Sequence, residues 1–149
     1  MTGEMLKQIV MGAAGSLGFA LLFNMRGRVL FCAILGGALG WTTYLLLGGA
    51  PPDDLRSYLF AAMAATLYAE VLARAFKMPV TPLLVCSVIP LIPGGSLYYT
   101  MAAYIQGDYM DFSMRGAYTL SIAVMLALGM MAVMMFMRVY ATLRRRRHG

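Results

Sequence analysis

The sequence predicts an all-α integral membrane protein of about five transmembrane helices, and two observations support that prediction. Of its 149 residues, 61% are hydrophobic and only 12% are charged, whereas a soluble domain is about half apolar and about a quarter charged. The apolar residues also fall in long blocks separated by short polar or Pro/Gly-rich segments. Because a spanning helix needs about 20 predominantly apolar residues, each block is long enough to cross a bilayer.

The blocks define the predicted helices of one transmembrane domain. A short turn at Asn24 joins the first two, and a Pro/Gly-rich loop ends at Asp53 and Asp54, either of which can cap the third helix. Residues 106–115 are predicted to be a polar loop before the last helix. The predicted spans are 5–23, 29–47, 55–76, 80–105 with a break near 90–96, and 116–140, and a basic tail follows at 141–149.

Basic residues predict the orientation of these spans. They are concentrated in alternate connections and at the C-terminal end, and the other connections carry most of the acidic residues. By the positive-inside rule, the N-terminus lies outside the cell and the C-terminus lies in the cytoplasm. The basic side consists of Arg26, Arg28, Arg74, Lys77, Arg138 and Arg144, Arg145, Arg146 and Arg147.

The fourth apolar block contains a helix breaker, with Pro90 and Pro93 followed by Gly94, Gly95 and Ser96. A proline inside a helix removes one donor and clashes with the carbonyl four residues earlier. In a membrane the freed backbone groups need partners in the protein or in a water-lined cavity, and broken helices hold polar substrates in transporters. The alternative is a proline kink that packs against neighbouring helices and binds no ligand.

If the helix resumes after the break, its free amides offer a site for a carboxylate, since a helix N-terminus carries about half a positive charge. Ser96 can cap this half-helix or bind substrate, and Tyr98 places a hydroxyl nearby.

Glu70 and Arg74 are spaced i, i+4 on the third helix, so they share a face and can form an ion pair. Ionisable residues within a membrane are costly and usually face a cavity. Glu70 is therefore either a proton-coupling carboxylate or only the partner of Arg74, and both alternatives stay open.

Several classes of function are not expected. Cys32 and Cys86 lie in apolar blocks without metal-ligand spacing, and the one histidine is His148, so we predict no metal site and no cofactor. No catalytic constellation is present in the sequence, which argues against an enzyme. The basic residues are not interleaved with stacking aromatics, which argues against nucleic-acid binding.

Two stretches of the sequence resemble the threonine/serine exporter family, specifically the small membrane subunit of its two-component form. The first runs through residues 18–24 and on to Arg28 and the glycine-rich segment 36–41. The second runs from Glu70 through Pro79 to residues 89–98, where the run Pro-Leu-Ile-Pro-Gly is the most specific part.

The resemblance implies a secondary exporter in the inner membrane of a bacterial cell, which uses the proton motive force to move small hydrophilic metabolites out of the cytoplasm. Its substrates would be threonine and serine, or a C4-dicarboxylate such as succinate. The partner would be a larger membrane subunit with a cytosolic domain, and self-association is a further option. The substrate site would comprise Pro90, Pro93, Gly94, Gly95, Ser96, Tyr98 and Asn24. The competing hypotheses are a structural subunit without a ligand site and a homo-oligomeric channel.

Overall fold

A computed structural model of the chain describes residues 3–49 and 54–147. Within these residues the chain is helical, with a single 3-10 turn and no strand. The elements are α1 (Gly3–Leu22), α2 (Arg28–Leu46), α3 (Leu55–Ala75), α4 (Val80–Val88), the 3-10 turn Ile89–Leu91, α5 (Gly94–Ile105) and α6 (Tyr109–Arg147). The predicted Asp53 cap and the loop residues 50–52 lie outside the described residues.

The predicted all-α membrane fold is confirmed. Four of the described helices, α1, α2, α3 and α6, are long and apolar enough to cross a membrane. The pair formed by α4 and α5 is bent by 56° and supplies a fifth span if it crosses as one unit. α1, α2 and α3 begin and end within about two residues of the predicted blocks, because each block is bounded by residues that stop a helix.

The helices pack around α2 and α3. α2 lies against α1, α3 and α4, α3 also packs against α6, and α5 packs against α6. α3 and α6 run in the same direction, since Asp54 contacts Tyr118 near their starts and Arg74 contacts Met137 further along. One apolar cluster joins α2, α3, α6 and the 3-10 turn, and its buried members are Tyr44, Tyr58, Ala61, Ala62, Leu91, Ile122 and Leu126.

Four of the helices end in the same type of turn. In α1, Asn24 takes a left-handed conformation (φ 54°), and Met25 N donates to Ala20 O at 2.9 Å. This six-to-one hydrogen bond satisfies carbonyls that would otherwise be orphaned at the helix end. The left-handed residues at the four turns are Asn24, Gly48, Lys77 and Gly107.

The last helix is longer than the sequence predicted, because α6 begins at Tyr109 rather than near Gly116. The predicted polar loop was wrong for residues 109–115. Asp108 Oδ1 accepts from Asp111 N at 3.0 Å, and Arg115 Nε donates to Asp111 Oδ2 at 2.6 Å. The polar residues therefore cap and pair along a helix. At its other end α6 runs into the predicted tail, through Arg147.

The broken span is held to α1 by one buried hydrogen bond. Pro90 has no N–H, so the carbonyl of Cys86, four residues earlier, loses its helical donor. Ser16 Oγ on α1 donates to that carbonyl at 2.7 Å. Ser16 and Cys86 are both fully buried. The carbonyl that the proline leaves free is thus satisfied by a side chain of a different helix.

Glycine on α2 makes this approach of α1 and α4 possible. A Cβ added at Gly37 would overlap with Ser16 Oγ and lie 2.7 Å from Ser16 Cβ and 3.2 Å from Pro90 Cγ. A Cβ at Gly36 would lie 2.9 Å from Ser87 Cβ. In lipid the hydrophobic effect does not drive helices together, so close packing of small residues stabilises their association instead.

We expect Ser16→Ala to destabilise the protein by about 1–3 kcal/mol, because it leaves the buried carbonyl of Cys86 without a donor. In a Pro90→Ala background the same substitution should cost less, since the alanine would bring an N–H that can bond that carbonyl. Thermal or denaturant unfolding of the four variants in detergent, analysed as a double-mutant cycle, measures the difference.

Ser121→Ala is the matched control, because Ser121 Oγ donates only to Ala117 O within its own helix. Equal costs of Ser16→Ala in both backgrounds would contradict the assignment of Ser16 to the carbonyl that Pro90 frees.

Candidate functional site

The break leaves two backbone amides without acceptors. Ile92 is extended (φ −64°, ψ 127°) and Pro93 is the N-cap of α5. Gly94 N donates to Ile92 O at 2.7 Å, and Leu97 N donates to Pro93 O at 3.0 Å. Among the described residues, the N–H groups of Gly95 and Ser96 have no hydrogen-bond acceptor. They lie at the positive end of the helix dipole.

The space around these amides is open. A Cβ added at Gly94 or Gly95 would meet no atom within 4 Å, and both glycines are exposed. A small anion can therefore approach the backbone closely. Ser96 does not cap the half-helix, because the N-cap position is occupied by Pro93 and makes no side-chain cap bond.

Tyr98 lies on the same half-helix as the free amides. Its side chain is 70% exposed, and its ring centroid is 5.4 Å from that of Tyr99 in an edge arrangement. The opposite side of α5 packs against α6, where Thr100 and Thr119 approach to 3.3 Å between their hydroxyl oxygens. The outer side of α5, with Tyr98 and the two glycines, has no neighbour among the residues that the structure describes.

Pro90 faces a different space from the free amides. It lines an open cavity of about 340 Å³ between α1 and α2, within the size range of small-molecule sites. The free amides do not line this cavity. Its walls are formed by Lys7, Gln8, Met11, Gly12, Gly15, Trp41 and Pro90.

Trp41 was not singled out from the sequence as a site residue. Its Nε1 is buried and has no hydrogen-bond partner among the described residues. A buried donor without an acceptor costs free energy. Binding of a ligand that offers an acceptor to Nε1, after a small shift of the indole ring, would therefore be favoured. The sequence signal was weak, because a single tryptophan in an apolar helix is usually a packing residue.

Asn24 is not brought together with the break. It lies in the turn after α1, and its Oδ1 accepts from Arg26 Nε at 3.2 Å. The break contacts α1 at Ser16, which is about 12 Å along the helix axis from Asn24 at about 1.5 Å per residue. Asn24 has a structural role instead, because its left-handed conformation forms the turn that ends α1.

Glu70 and Arg74 form the ion pair that their spacing predicts. Arg74 Nη2 donates to Glu70 Oε2 at 3.1 Å, and the Glu70 side chain is only 13% exposed. The same nitrogen donates to Met137 O at 3.4 Å. The pair therefore joins α3 to α6 at a distance from the break.

A second acidic residue, which the sequence indicated only as a cap, is more buried than Glu70. Asp54 is 0% exposed, and its side chain makes no cap bond to α3. Instead its carboxylate accepts hydrogen bonds from Tyr44 Oη at 2.7 Å and Tyr118 Oη at 2.5 Å. Only the fold reveals this cluster, because Tyr118 is 64 residues away in sequence.

We expect ligand binding in the Pro90 cavity to change the fluorescence of Trp41, which is the only tryptophan in the sequence. Titration of the purified protein with threonine, serine or succinate should give a saturable change in emission only where the compound enters this cavity, because Trp41 lines the cavity and the free amides do not. Trp41→Phe removes the signal and serves as the control. An emission spectrum unchanged by all three compounds would contradict a ligand role for this cavity.

Comparison with known proteins agrees with a transport function. The family model described as "Threonine/Serine exporter, ThrE" matches residues 8–136. An uncharacterised protein of Haemophilus influenzae (strain ATCC 51907 / DSM 11121 / KW20 / Rd) is 30% identical over 111 residues, covering 74% of this chain and 37% of the relative. The chain thus spans little more than a third of that relative's length. No solved structure matches the chain. The family match over most of the chain shows that this multi-pass membrane protein belongs to the threonine/serine exporter family.

Proposed function

We propose that this protein is the small subunit of a secondary exporter that moves small carboxylate-bearing metabolites, driven by the proton motive force. The substrates in this proposal are threonine and serine or a C4-dicarboxylate such as succinate. The observation that carries the proposal is the pair of unpaired amides at Gly95 and Ser96, at the N-terminus of a half-helix within a broken span.

A carboxylate suits this position for two reasons. Its oxygens can accept hydrogen bonds from both amides, and the partial positive charge of the helix end favours an anion. The open space above Gly94 and Gly95 lets the carboxylate reach the backbone. Amino acids and dicarboxylates both carry this group, so the site supports the class of substrate rather than one member of it.

The free amides also support the presence of a partner. Within a bilayer, amides that face lipid would each cost several kcal/mol, so the exposed side of α5 needs a cover or a water-filled path. A larger membrane subunit can supply both, and the matched relative from Haemophilus influenzae has a chain much longer than the matched segment. We propose such a larger subunit with a cytosolic domain, and a second copy of this chain is the alternative cover.

The proposed orientation follows from the charges. The turns after α1 and α3 carry Arg26 and Lys77, whereas the turn between α5 and α6 carries Asp108. With basic residues on the cytoplasmic side, the N-terminus is outside and the C-terminus is cytoplasmic in a bacterial inner membrane.

We assign Glu70 to the ion pair rather than to proton transfer. Its carboxylate has a cation at 3.1 Å, and Arg74 also binds the α6 backbone. Glu70→Gln is therefore expected to lower stability and to leave the export rate near that of the unmodified protein.

A structural subunit without its own ligand site is the second candidate. The exposure of Gly94, Gly95 and Tyr98 favours this candidate, because a surface that only contacts a partner subunit is also exposed when the chain is alone. The two candidates differ in whether the amides contact substrate.

We expect Pro93→Ala and Gly95→Val to reduce export of threonine, serine or succinate by about tenfold to a hundredfold. The first supplies an N–H and lets the helix continue across the break, and the second blocks the amides. Loss of charge-assisted hydrogen bonds worth about 1.5–3 kcal/mol gives this range. The measurement is efflux of labelled substrate from loaded cells that express the partner genes.

Matched controls are available in the same chain. Pro79 is the N-cap of α4, as Pro93 is of α5, so Pro79→Ala tests the loss of a capping proline alone. Gly18 also has open space around it, so Gly18→Val tests the added side chain alone. Export at the unmodified rate by both break variants would sink the proposal.

The orientation is tested by single cysteines in a background with Cys32 and Cys86 replaced. A membrane-impermeant thiol reagent added to intact cells should label Gln106→Cys in the turn before α6. It should label Phe76→Cys, at the end of α3, only after the membrane is opened. The opposite pattern would reverse the proposed orientation.

A further inference from the structure

The buried carboxylate of Asp54 is the feature that the proposed substrate site does not use. It lies directly before α3, yet it is fully buried and its side chain makes no cap hydrogen bond to that helix. Tyr44 from α2 and Tyr118 from α6 each donate to one of its two oxygens. One carboxylate therefore joins three helices.

The charge of this carboxylate is not paired with a cation in the part of the chain that the structure describes. Among the described residues, no lysine or arginine nitrogen lies within 4 Å of Asp54, whereas Glu70 and Asp111 each have an arginine partner. Arg56, two residues along the chain, is exposed. Within the described residues, the negative charge is offset by two neutral phenols and by the start of α3.

Among residues 3–49 and 54–147, the groups that face Asp54 from the surrounding elements are neutral. α2 contributes Tyr44, α6 contributes Tyr118, and α3 itself contributes Tyr58, whose ring centroid is 4.6 Å from that of Tyr44. The 3-10 turn contributes Leu91 to the same cluster, and α4 carries no charged residue. A proton can therefore bind to Asp54 without breaking an ion pair, in contrast to Glu70.

We propose that Asp54, held by Tyr44 and Tyr118, is a proton-binding site of this protein. One carboxylate oxygen takes up a proton and the group becomes neutral. That oxygen then carries an O–H donor, and the tyrosine that donated to it can turn to accept from it. Protonation therefore changes how α2, α3 and α6 are joined.

The site has a direct connection to the break. Leu91 is the last residue of the 3-10 turn, and it is buried in one apolar cluster with Tyr44 and Tyr58. A movement of these tyrosines would therefore be transmitted by packing to the turn that precedes the free amides. The proton site stands on this geometry, and its role in driving export rests on the proposed function.

The binding of a proton can be measured without transport. Infrared difference spectra of the full chain in lipid vesicles, titrated from about pH 4 to about pH 9 around the ordinary range of carboxyl groups, report protonated carboxyl groups through their carbonyl band. We expect a band of a buried carboxyl group that is lost in Asp54→Asn and kept in Asp111→Asn, the control at a partly exposed carboxylate paired with an arginine. Tyr118→Phe should move its frequency, which keeps the test valid if Asp54→Asn fails to fold.

Identical spectra for the unmodified protein and Asp54→Asn, with no shift in Tyr118→Phe, would overturn the proposal. A band that responds to Na⁺ rather than to pH would overturn it as well.

A transport arm separates this inference from the proposed function. In vesicles that contain the protein and its partner, Asp54→Asn should reduce pH-gradient-driven threonine or succinate flux about tenfold and keep exchange of labelled for unlabelled substrate. If the infrared band of Asp54 is present but the vesicles show no transport, the result would reject the exporter and support the proton site. Full gradient-driven flux in Asp54→Asn would reject the role of Asp54 in driving export and keep the exporter.

Discussion

The requirement that every backbone polar group inside a membrane has a partner governs this structure. Pro90 removes one donor from the fourth span, and Ser16 on α1 replaces it at the carbonyl of Cys86. That bond requires α1 and α4 to approach α2 closely, which Gly37 permits because a side chain there would overlap with Ser16. The break is therefore stabilised on its inner side. On its outer side the amides of Gly95 and Ser96 have no partner among the described residues, and this asymmetry is the basis of the proposed function.

The two proposed sites have complementary chemistry. The amides after the break can hold an anion, and the buried carboxylate of Asp54 can hold a proton. Leu91 links them, because it belongs both to the turn that bends the span and to the cluster that contains Tyr44 and Tyr58. A substrate anion and a driving proton would thus act on one packed region. This arrangement would couple transport to protonation through local packing rather than over a long distance.

Local sequence patterns predicted much of the fold but little of the long-range chemistry. Apolar block length and turn residues predicted α1, α2 and α3, and the prolines predicted the break. The loop predicted for residues 109–115 was wrong. The polarity of Asp111 and Arg115 suggested a loop, whereas their i, i+4 pairing supports a helix. The environment of Asp54 could not be predicted, since it depends on tyrosines of two other helices. The ion pair of Glu70 could be predicted, since its partner Arg74 is only four residues away in sequence.

The most direct test of the central claim is to observe the amides themselves. Backbone nuclear magnetic resonance of the ¹⁵N-labelled chain, in vesicles or nanodiscs with its partner, can follow the amide signals of Gly95 and Ser96 during titration with threonine or succinate. We expect saturable shifts at these two amides that a neutral analogue lacking the carboxylate does not cause. Signals that stay unchanged while transport proceeds would show that the break does not bind the substrate carboxylate.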